Sequence, residues 1–415
     1  MTEHTTCAVV GGGPAGMVLG LLLARAGVEV TVLEKHGDFL RDFRGDTVHP
    51  STLQLLDELG LGERFGALPQ SRLHEAAFPT EGGGRVVVAD FHRLRTAHPY
   101  IAMVPQWDLL NLLADAGRAE PRFHLRMDTE VTHLVGEGGR VTGLRYRHPD
   151  GTTGELRADL VVGCDGRWSV VRRRAGLRPK EYPVPMDAWW LRLPREPEEQ
   201  AGALMPGMSR GHFAAVIPRE GYFQIAYLAA KGLDDRLRAE GVEAFRERIA
   251  AVLPQFAGRL GAIRSMDDVK HLDVRLNLLP RWHVNGALCI GDAAHAMSPI
   301  GGVGINLAVQ DAVATARLLA GPLLRGHVTS ADLARVRRRR LLPTVLVQAI
   351  QRVMHRALVR PTIEGRREGP PRAAAVVTRR VPGVRSVTAY LIGIGLRPER
   401  APAFARRSGR TPVPS

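Results

Sequence analysis

The sequence predicts a mixed α/β fold in which a parallel sheet is interrupted by an inserted, mainly antiparallel sheet and followed by C-terminal helices. Three observations carry this prediction. Near the N-terminus an apolar strand, a glycine-rich turn and an apolar helix follow one another in the order of a βαβ unit. Far downstream, apolar stretches at 161–163 and 287–290 each run into glycine and aspartate, the pattern expected at the carboxyl edge of such a sheet. Between them the chain changes character: residues 181–274 hold Trp189, Trp190, Tyr222, Phe223 and Tyr227 in strand-like runs that suit a separate sheet.

Taken in order, residues 7–10 form the first strand. Residues 14–26 form a helix that Pro14 and Ala15 open and Gly27 stops. Residues 28–33 form the second strand, and Glu34 and Lys35 end it. In the turn Gly11-x-Gly13-x-x-Gly16, Gly11 makes the tight bend, Gly13 lets a pyrophosphate approach the backbone, and Gly16 lets the helix pack close. The helix N-terminus offers that pyrophosphate unpaired N–H groups and a positive dipole end. Glu34 lies about 20 residues on, where an acid accepts from ribose hydroxyls, and its charge disfavours a phosphorylated ribose.

Phe43-Arg44-Gly45-Asp46 precedes a helix at 51–59, stopped by Gly60. A looser stretch at 68–99 alternates around 86–90, and a helix at 105–116 carries Gln106 near its start. Antiparallel strands follow at 131–135, 141–147 and 156–162, joined by turns at 136–139 and 149–151. The insert has one helix, near 242–252. Then come a strand at 287–290, a helix at 304–319 and a helical stretch at 330–360 that is bent or broken at Pro343. The tail beyond Pro361 is rich in Arg, Pro and Gly. Its apolar stretch 387–396 is too short to cross a bilayer and is expected to pack on the body. On this reading 1–75, 100–180 and 275–330 form a discontinuous dinucleotide domain, 76–99 and 181–274 a substrate-binding sheet, and 331–415 the C-terminal helices and tail.

The hydrophobic share of 45% and charged share of 24% are ordinary for a globular chain, whereas the net charge of +15 is not. Such an excess attracts anions. Arginines scattered over the surface are the plainer account, since the one dense run, Arg335 to Arg340, lacks the aromatic or motif support of a nucleic-acid site. Cys7, Cys164 and Cys289 sit in or beside apolar strands without disulfide or metal spacing, so they read as small buried hydrophobes and no metal is expected. No signal-like segment is visible at the start, and no apolar run approaches the roughly 20 residues of a membrane span. A cytoplasmic location is expected, as monomer or homodimer.

The third glycine region decides the chemistry. Gly291-Asp292-Ala293-Ala294-His295 is followed by Pro299 and by Gly301-Gly302-Val303-Gly304-Ile305-Asn306. An acid at a strand end accepts from polyol hydroxyls. The glycine turn then opens a helix whose free N–H groups suit an anionic ring, approached closely because no side chain intervenes. Together with the N-terminal glycines and Asp165-Gly166-Arg167, in this order and at these separations, the motifs resemble those of the para-hydroxybenzoate hydroxylase family of single-component aromatic hydroxylases. The resemblance spans about 1–350, strongly at the motifs and loosely elsewhere.

That resemblance implies an FAD-binding, Rossmann-type domain of the glutathione-reductase kind, with FAD as cofactor and NAD(P)H as transient electron donor. It implies a monooxygenase that uses O2, through a flavin C4a-hydroperoxide, to hydroxylate an aromatic (phenolic or polyketide-like) small molecule. It places Asp165 and Gly166 by the cofactor groove, Arg44 near the flavin and the nicotinamide path, and Gln106 against the cofactor. Arg172 matches a family arginine. Gly291 and Asp292 bind the cofactor's ribityl region. Pro299, Gly301 and Gly302 sit at the reacting face, and Gly304, Ile305 and Asn306 continue along the cofactor, Asn306 by the pyrimidine edge. His295 belongs to the motif's framework. The chain departs from the pattern at Ser298-Pro299, where the family often has two prolines. It shows no second G-x-G-x-x-G, no thioredoxin-like C-terminal domain and no W-x-W-x-I-P run. Trp190, Arg192, His212, Tyr222, Gln224 and Tyr227 are candidate substrate contacts; strand alternation groups Tyr222 with Gln224 and turns Phe223 and Ile225 away. Rival readings on the same fold are epoxidation or decarboxylative hydroxylation, a non-redox cyclase keeping FAD as scaffold, and a flavin-binding sensor.

Overall fold

The apolar strand Glu3–Val10 lies inside the main sheet of the computed structural model, which describes residues 3–40, 47–79, 85–196, 205–209, 211–366 and 383–407, with Glu199, Val376, Thr378, Arg380 and Val381 besides. The sheet runs His283–Val284, Ala287–Cys289, Thr153–Gly163, Glu3–Val10, Val30–Leu33, Phe123–Arg126. From Ala287–Cys289 onward all neighbours are parallel, and the register sets Val10 beside Gly163 and Gly163 beside Cys289. Three turns far apart in sequence therefore leave adjacent strand ends at one level. Thr153–Gly163 is longer than expected because it serves two pairings. Its first half closes an antiparallel meander with Arg140–Arg147, and its second half joins the parallel sheet.

Helix Pro14–Arg25 is buried along nearly its whole length and packs against Gly304–Leu324. The latter corrects one expectation: at 21 residues it is long and apolar enough to cross a membrane, although 78% of its most apolar window is buried inside the fold. It serves as the central core helix, flanked by Pro14–Arg25 and Ser330–Met354.

The second sheet runs Met205–Ser209, His212–Pro218, Tyr222–Ala230, Met186–Pro194, Lys270–Leu272, all antiparallel. One face buries Trp189, Leu191, Phe223, Ile225 and Tyr227 with Leu237, Phe245 and Ile249 of helix Asp234–Val252. That helix starts earlier than periodicity suggests because Gly241, at φ +85°, joins a polar helical segment to the amphipathic one. Segment 76–99 contributes a separate hairpin, Glu75–Pro79 with Arg85–Asp90, and Ile101–Met103 pairs with Thr47–Val48 and Ser71–Leu73.

The C-terminal helix Ser330–Met354 is not broken at Pro343, one of the two outcomes expected there, and continues through it. A capping box starts it: Asp332 N–H donates to Thr329 Oγ1 (3.2 Å), and Thr329 N–H donates to Asp332 Oδ2 (3.1 Å). Thr344, the residue after the proline, donates its hydroxyl to Arg340 O (2.9 Å). The irregularity comes later, in a π-turn at His355–Val359 followed by Arg360–Ile363. Helix Val384–Gly393 packs on Arg85–Asp90, and the chain then returns along the first helix, where Arg25 donates to Ala405 O (3.0 Å). The basic run is not all surface. Arg340 is 1% exposed and donates to Asp311 Oδ1 (3.0 Å), and Arg339 donates to the buried Glu399 (2.6 Å). Cys7 and Cys289 are buried free thiols that burial pushes up, and among the described residues no cluster suits a metal ion.

Candidate functional site

One cavity of about 1130 Å³ runs from Glu34 and Lys35, past the three motif turns, to the inner face of the second sheet. Its glycine walls differ in a telling way. A Cβ at Gly16 would stand 2.0 Å from Gly11 O, and one at Gly11 would stand 2.7 Å from Cys164 O, so both positions are closed by the protein itself. A Cβ at Gly13 would meet none of the described residues within 4 Å. Gly13 lines the cavity at the head of Pro14–Arg25, a helix with no side-chain cap, so its first N–H groups face open space. This cradle suits a pyrophosphate.

Glu34 is buried, and its two oxygens accept from Gly12 N–H (2.8 Å) and His36 N–H (3.1 Å), which fixes the carboxylate at the cavity wall. Asp165 Oδ2 accepts from Val170 N–H (2.6 Å) and Val171 N–H (3.1 Å), capping the short helix Val170–Arg174, while Oδ1 is buried and has no partner among the described residues. Burial pushes this carboxyl above its usual range despite those bonds. Asp292 opens to the cavity and meets only a long contact to Arg167 Nη2 (3.5 Å). Arg172 is buried behind it, donating to Ala293 O (3.0 Å) and Arg167 O (2.6 Å), and so ties the second and third motifs together. The accessible Asp292 carboxylate and the open cradle fit FAD laid along the groove.

Behind Gly291 the framework is charged. His295 Nε2 donates to Asp311 Oδ2 (2.6 Å), which also accepts from Gly291 N–H (3.1 Å). His295 is 1% exposed and is not among the residues that line the cavity. The turn Gly301–Gly302 has φ of +82° and +64°, and it lines the cavity with Pro299, Gly304 and Ile305. Gly302 O accepts from Thr47 Oγ1 (2.7 Å) and lies 3.0 Å from His49 Nε2, while His49 Nδ1 lies 2.9 Å from Ile392 O. Burial lowers the pKa of His49 to about 4, so the neutral ring donates to only one of these carbonyls.

Of the expected cofactor residues, Gly11, Gly13, Pro14, Ala15, Glu34, Lys35, Gln106, Asp165, Gly166, Asp292, Pro299, Gly301, Gly302, Gly304 and Ile305 line the cavity. Gly16 and Gly291 sit behind the wall: a Gly291 Cβ would touch Ala308 and Ala15 at 3.2 and 3.5 Å. Asn306 is turned into the protein, its Oδ1 accepting from Ser51 Oγ (2.8 Å) and Thr52 Oγ1 (2.9 Å). Arg44 lies outside the described residues.

Of the expected substrate contacts only Trp190 lines the cavity. Tyr227 has the parity of Phe223 and Ile225 and goes with them to the far face, where its hydroxyl lies 2.5 Å from His212 Nδ1. Gln224 Oε1 is taken by Arg219 Nε (3.2 Å), and Arg192 lies over Trp107 and Tyr222 at 5.7 and 5.1 Å, away from the cavity lining. The sheet lines the cavity instead with Ala188, Ala215, Ala226 and Leu228 beside the larger Trp190, Phe213 and Ile217 and the polar Lys270 and His271, and the C-terminal helices add Leu358, Ile363 and Ile392. Strand parity from Trp190 would have found Ala188. The C-terminal contributors follow no motif.

Residues 4–349 match the family model described as an FAD binding domain. A 6-methylpretetramide 4-monooxygenase of Streptomyces rimosus is 36% identical over 389 residues, covering 92% of this chain and 91% of its own length. A rifampicin monooxygenase of Streptomyces venezuelae is 30% identical over 322 residues, covering 73% of this chain and 61% of that longer protein. Among solved structures, an anhydrotetracycline hydroxylase from Streptomyces rimosus shares the fold with a TM-score of 0.75 and 24% identity, covering 94% of this chain and 76% of that one.

Proposed function

The chain belongs to the FAD-binding family of flavoprotein monooxygenases, and from that premise we propose that it uses NAD(P)H and O2 to hydroxylate a polycyclic, polyketide-like aromatic. The observation that carries this reading is the continuity of the cavity. It leads from the Gly13 cradle, past Asp292 and the glycine turn, directly onto the mostly apolar face of the second sheet, where Ala188, Ala215, Ala226 and Leu228 lie beside Trp190 and Phe213. When bound, FAD supplies the electron transfer from NAD(P)H and the insertion of one oxygen atom. The residues supply the rest. Gly13 and the uncapped helix hold the pyrophosphate, Glu34 accepts from the adenosine ribose, and Asp292 accepts from the ribityl chain. The uncapped N-terminus of Gly304–Leu324 turns its N–H groups toward the site, where they stabilise negative charge on the ring.

On this proposal residues 1–75, 100–180 and 275–330 hold FAD and the second sheet roofs the substrate. Ala188, Ala215 and Ala226 leave room for a wide, flat molecule that larger side chains at those positions would exclude. The apolar wall keeps water from the reacting centre, which favours oxygen transfer over release of hydrogen peroxide.

The test is anaerobic. The protein with bound FAD is mixed with NADH or NADPH in the presence of phenols and of tricyclic and tetracyclic phenolic aromatics, and flavin bleaching is followed. Bleaching accelerated by a polycyclic ligand, then a product carrying one added oxygen after air is admitted, supports the reading. A flavin that stays oxidised with every donor and ligand overturns it in favour of FAD as a scaffold.

A further inference from the structure

The loop leading into the glycine turn is held by one face of the C-terminal helix. Gln348, Gln351 and His355 recur at helical spacing, and all three are buried. Gln348 Nε2 donates to Asn277 O (2.7 Å) and Ala296 O (3.4 Å). Gln351 Oε1 accepts from Ser298 N–H (3.2 Å), and its Nε2 donates to both Ser298 O and Ile300 O (2.9 Å each). His355 Nε2 lies 2.9 Å from Ser298 Oγ.

The N–H, carbonyl and hydroxyl of Ser298 are therefore all bound by two side chains of another element, and Pro299 is the next residue along. A second proline at 298 would fix the backbone by its ring and would have no N–H to offer Gln351. With serine there, the rigidity has to come from outside. His355 is suited to this role: burial lowers its pKa to about 4, so it stays neutral, and among the described residues its Nδ1 has no partner to compete for the ring. The same residue begins the π-turn His355–Val359, whose Leu358 and Val359 line the cavity. Short π segments inside helices concentrate at functional sites.

We propose that Gln351 and His355 are positioning residues that set the Pro299–Gly302 turn against the flavin, taking the place of a second proline. This rests on the FAD-binding reading above, and the test separates the two. The variants are Gln351→Met, His355→Leu, and Gln351→Met combined with Ser298→Pro. Gln351→Glu, of equal shape, serves if Gln351→Met does not fold; it keeps the acceptor for Ser298 N–H but, as a carboxylate, loses both donations. The readouts are the FAD dissociation constant, the visible circular dichroism of bound FAD, and the share of NADPH electrons released as hydrogen peroxide.

Each single variant is expected to hold FAD within about threefold of the parent, because Gly13, Glu34 and Asp292 are untouched, yet to change the dichroism and raise the peroxide share at least about fivefold. Adding Ser298→Pro is expected to return most of both signals toward the parent. Parent-like dichroism in the single variants, or no recovery in the double variant, overturns the proposal. A loss of FAD affinity that tracks thermal stability, with the dichroism of what remains bound unchanged, also overturns it and leaves a purely structural role. The dichroism needs no turnover, so a protein that never passes electrons to oxygen would sink the proposed reaction and still decide this one.

Discussion

Alanine at each of the three N-terminal motif glycines should fail in a different way. At Gly16 the new Cβ would stand 2.0 Å from Gly11 O, and main chain has to move to admit it. Overpacking of this kind costs about 1–3 kcal/mol or more. At Gly11 the Cβ would stand 2.7 Å from Cys164 O in a backbone at φ +102°, which adds conformational strain to the overlap. At Gly13 the backbone is extended (φ −76°, ψ −176°) and the methyl group meets no atom of the described residues within 4 Å. Folding should be indifferent to Gly13→Ala, within about 0.5 kcal/mol. The methyl group projects instead into the cradle, pushing a phosphate off the helix N-terminus. Losing one charge-assisted bond of about 1.5–3 kcal/mol predicts an FAD affinity weaker by about 10-fold to 150-fold, and losing a second extends this to about 10,000-fold. Thermal melts of the FAD-free proteins and FAD titrations by fluorescence quenching measure the two quantities separately. If Gly13→Ala binds FAD as the parent does, or melts as early as Gly16→Ala, the assignment of the cradle is wrong.

Asp292→Ala should weaken FAD binding by about 1–3 kcal/mol, since a buried hydroxyl loses its acceptor; a variant as yellow and as active as the parent would refute this. Burial pulls the Asp311 carboxyl upward, but His295 and Arg340 outweigh it and hold the pKa below the ordinary carboxylate value. A carboxyl depressed by folding adds stability that is present above its unfolded value of about 3.9 and is lost as pH falls through the lower folded value. Arg340→Met should therefore cost about 3–5 kcal/mol near neutral pH and flatten the acid limb of the stability curve, and thermal melts across pH test both effects. Tyr227→Phe should cost about 1 kcal/mol of stability and leave turnover alone, because its hydroxyl bonds His212 on the far face. Ala226→Phe, on the cavity face, should raise KM for a polycyclic substrate at least about tenfold while a single-ring phenol still enters. Steady-state kinetics on both substrates decide between the two faces.

The parallel sheet was legible because its signals are local. An apolar run of four residues ending in glycine says where a strand stops, and Val10, Gly163 and Cys289 do stop level with one another. Glycine spacing likewise marked the cradle and the turn at Gly301–Gly302. The roof was less legible, since choosing aromatic residues ignored parity within their own strand: Tyr227 shares a face with Ile225 and not with Gln224. Asn306 has a motif position but spends its oxygen on Ser51 and Thr52, a pairing across some 250 residues that no local pattern announces. Pro343 shows the opposite case, because a local breaker was overruled by the packing of a long helix whose neighbours, including Val336, Arg340 and Thr344, are buried. Ile392 reaches the cavity from a tail whose sequence carries only an apolar stretch.

The order of strands in the main sheet also has a meaning for how the chain is made. Glu3–Val10 pairs with Thr153–Gly163, which in turn needs Ala287–Cys289 on its other side. The second sheet, by contrast, draws every strand from between Met186 and Leu272. On a ribosome the second sheet is complete while the first still lacks an inner strand and its central helix. Closing the larger loop is the slower step. The insert is thus positioned to form first and to wait, with its cavity-lining face bare, for the dinucleotide sheet to close over it.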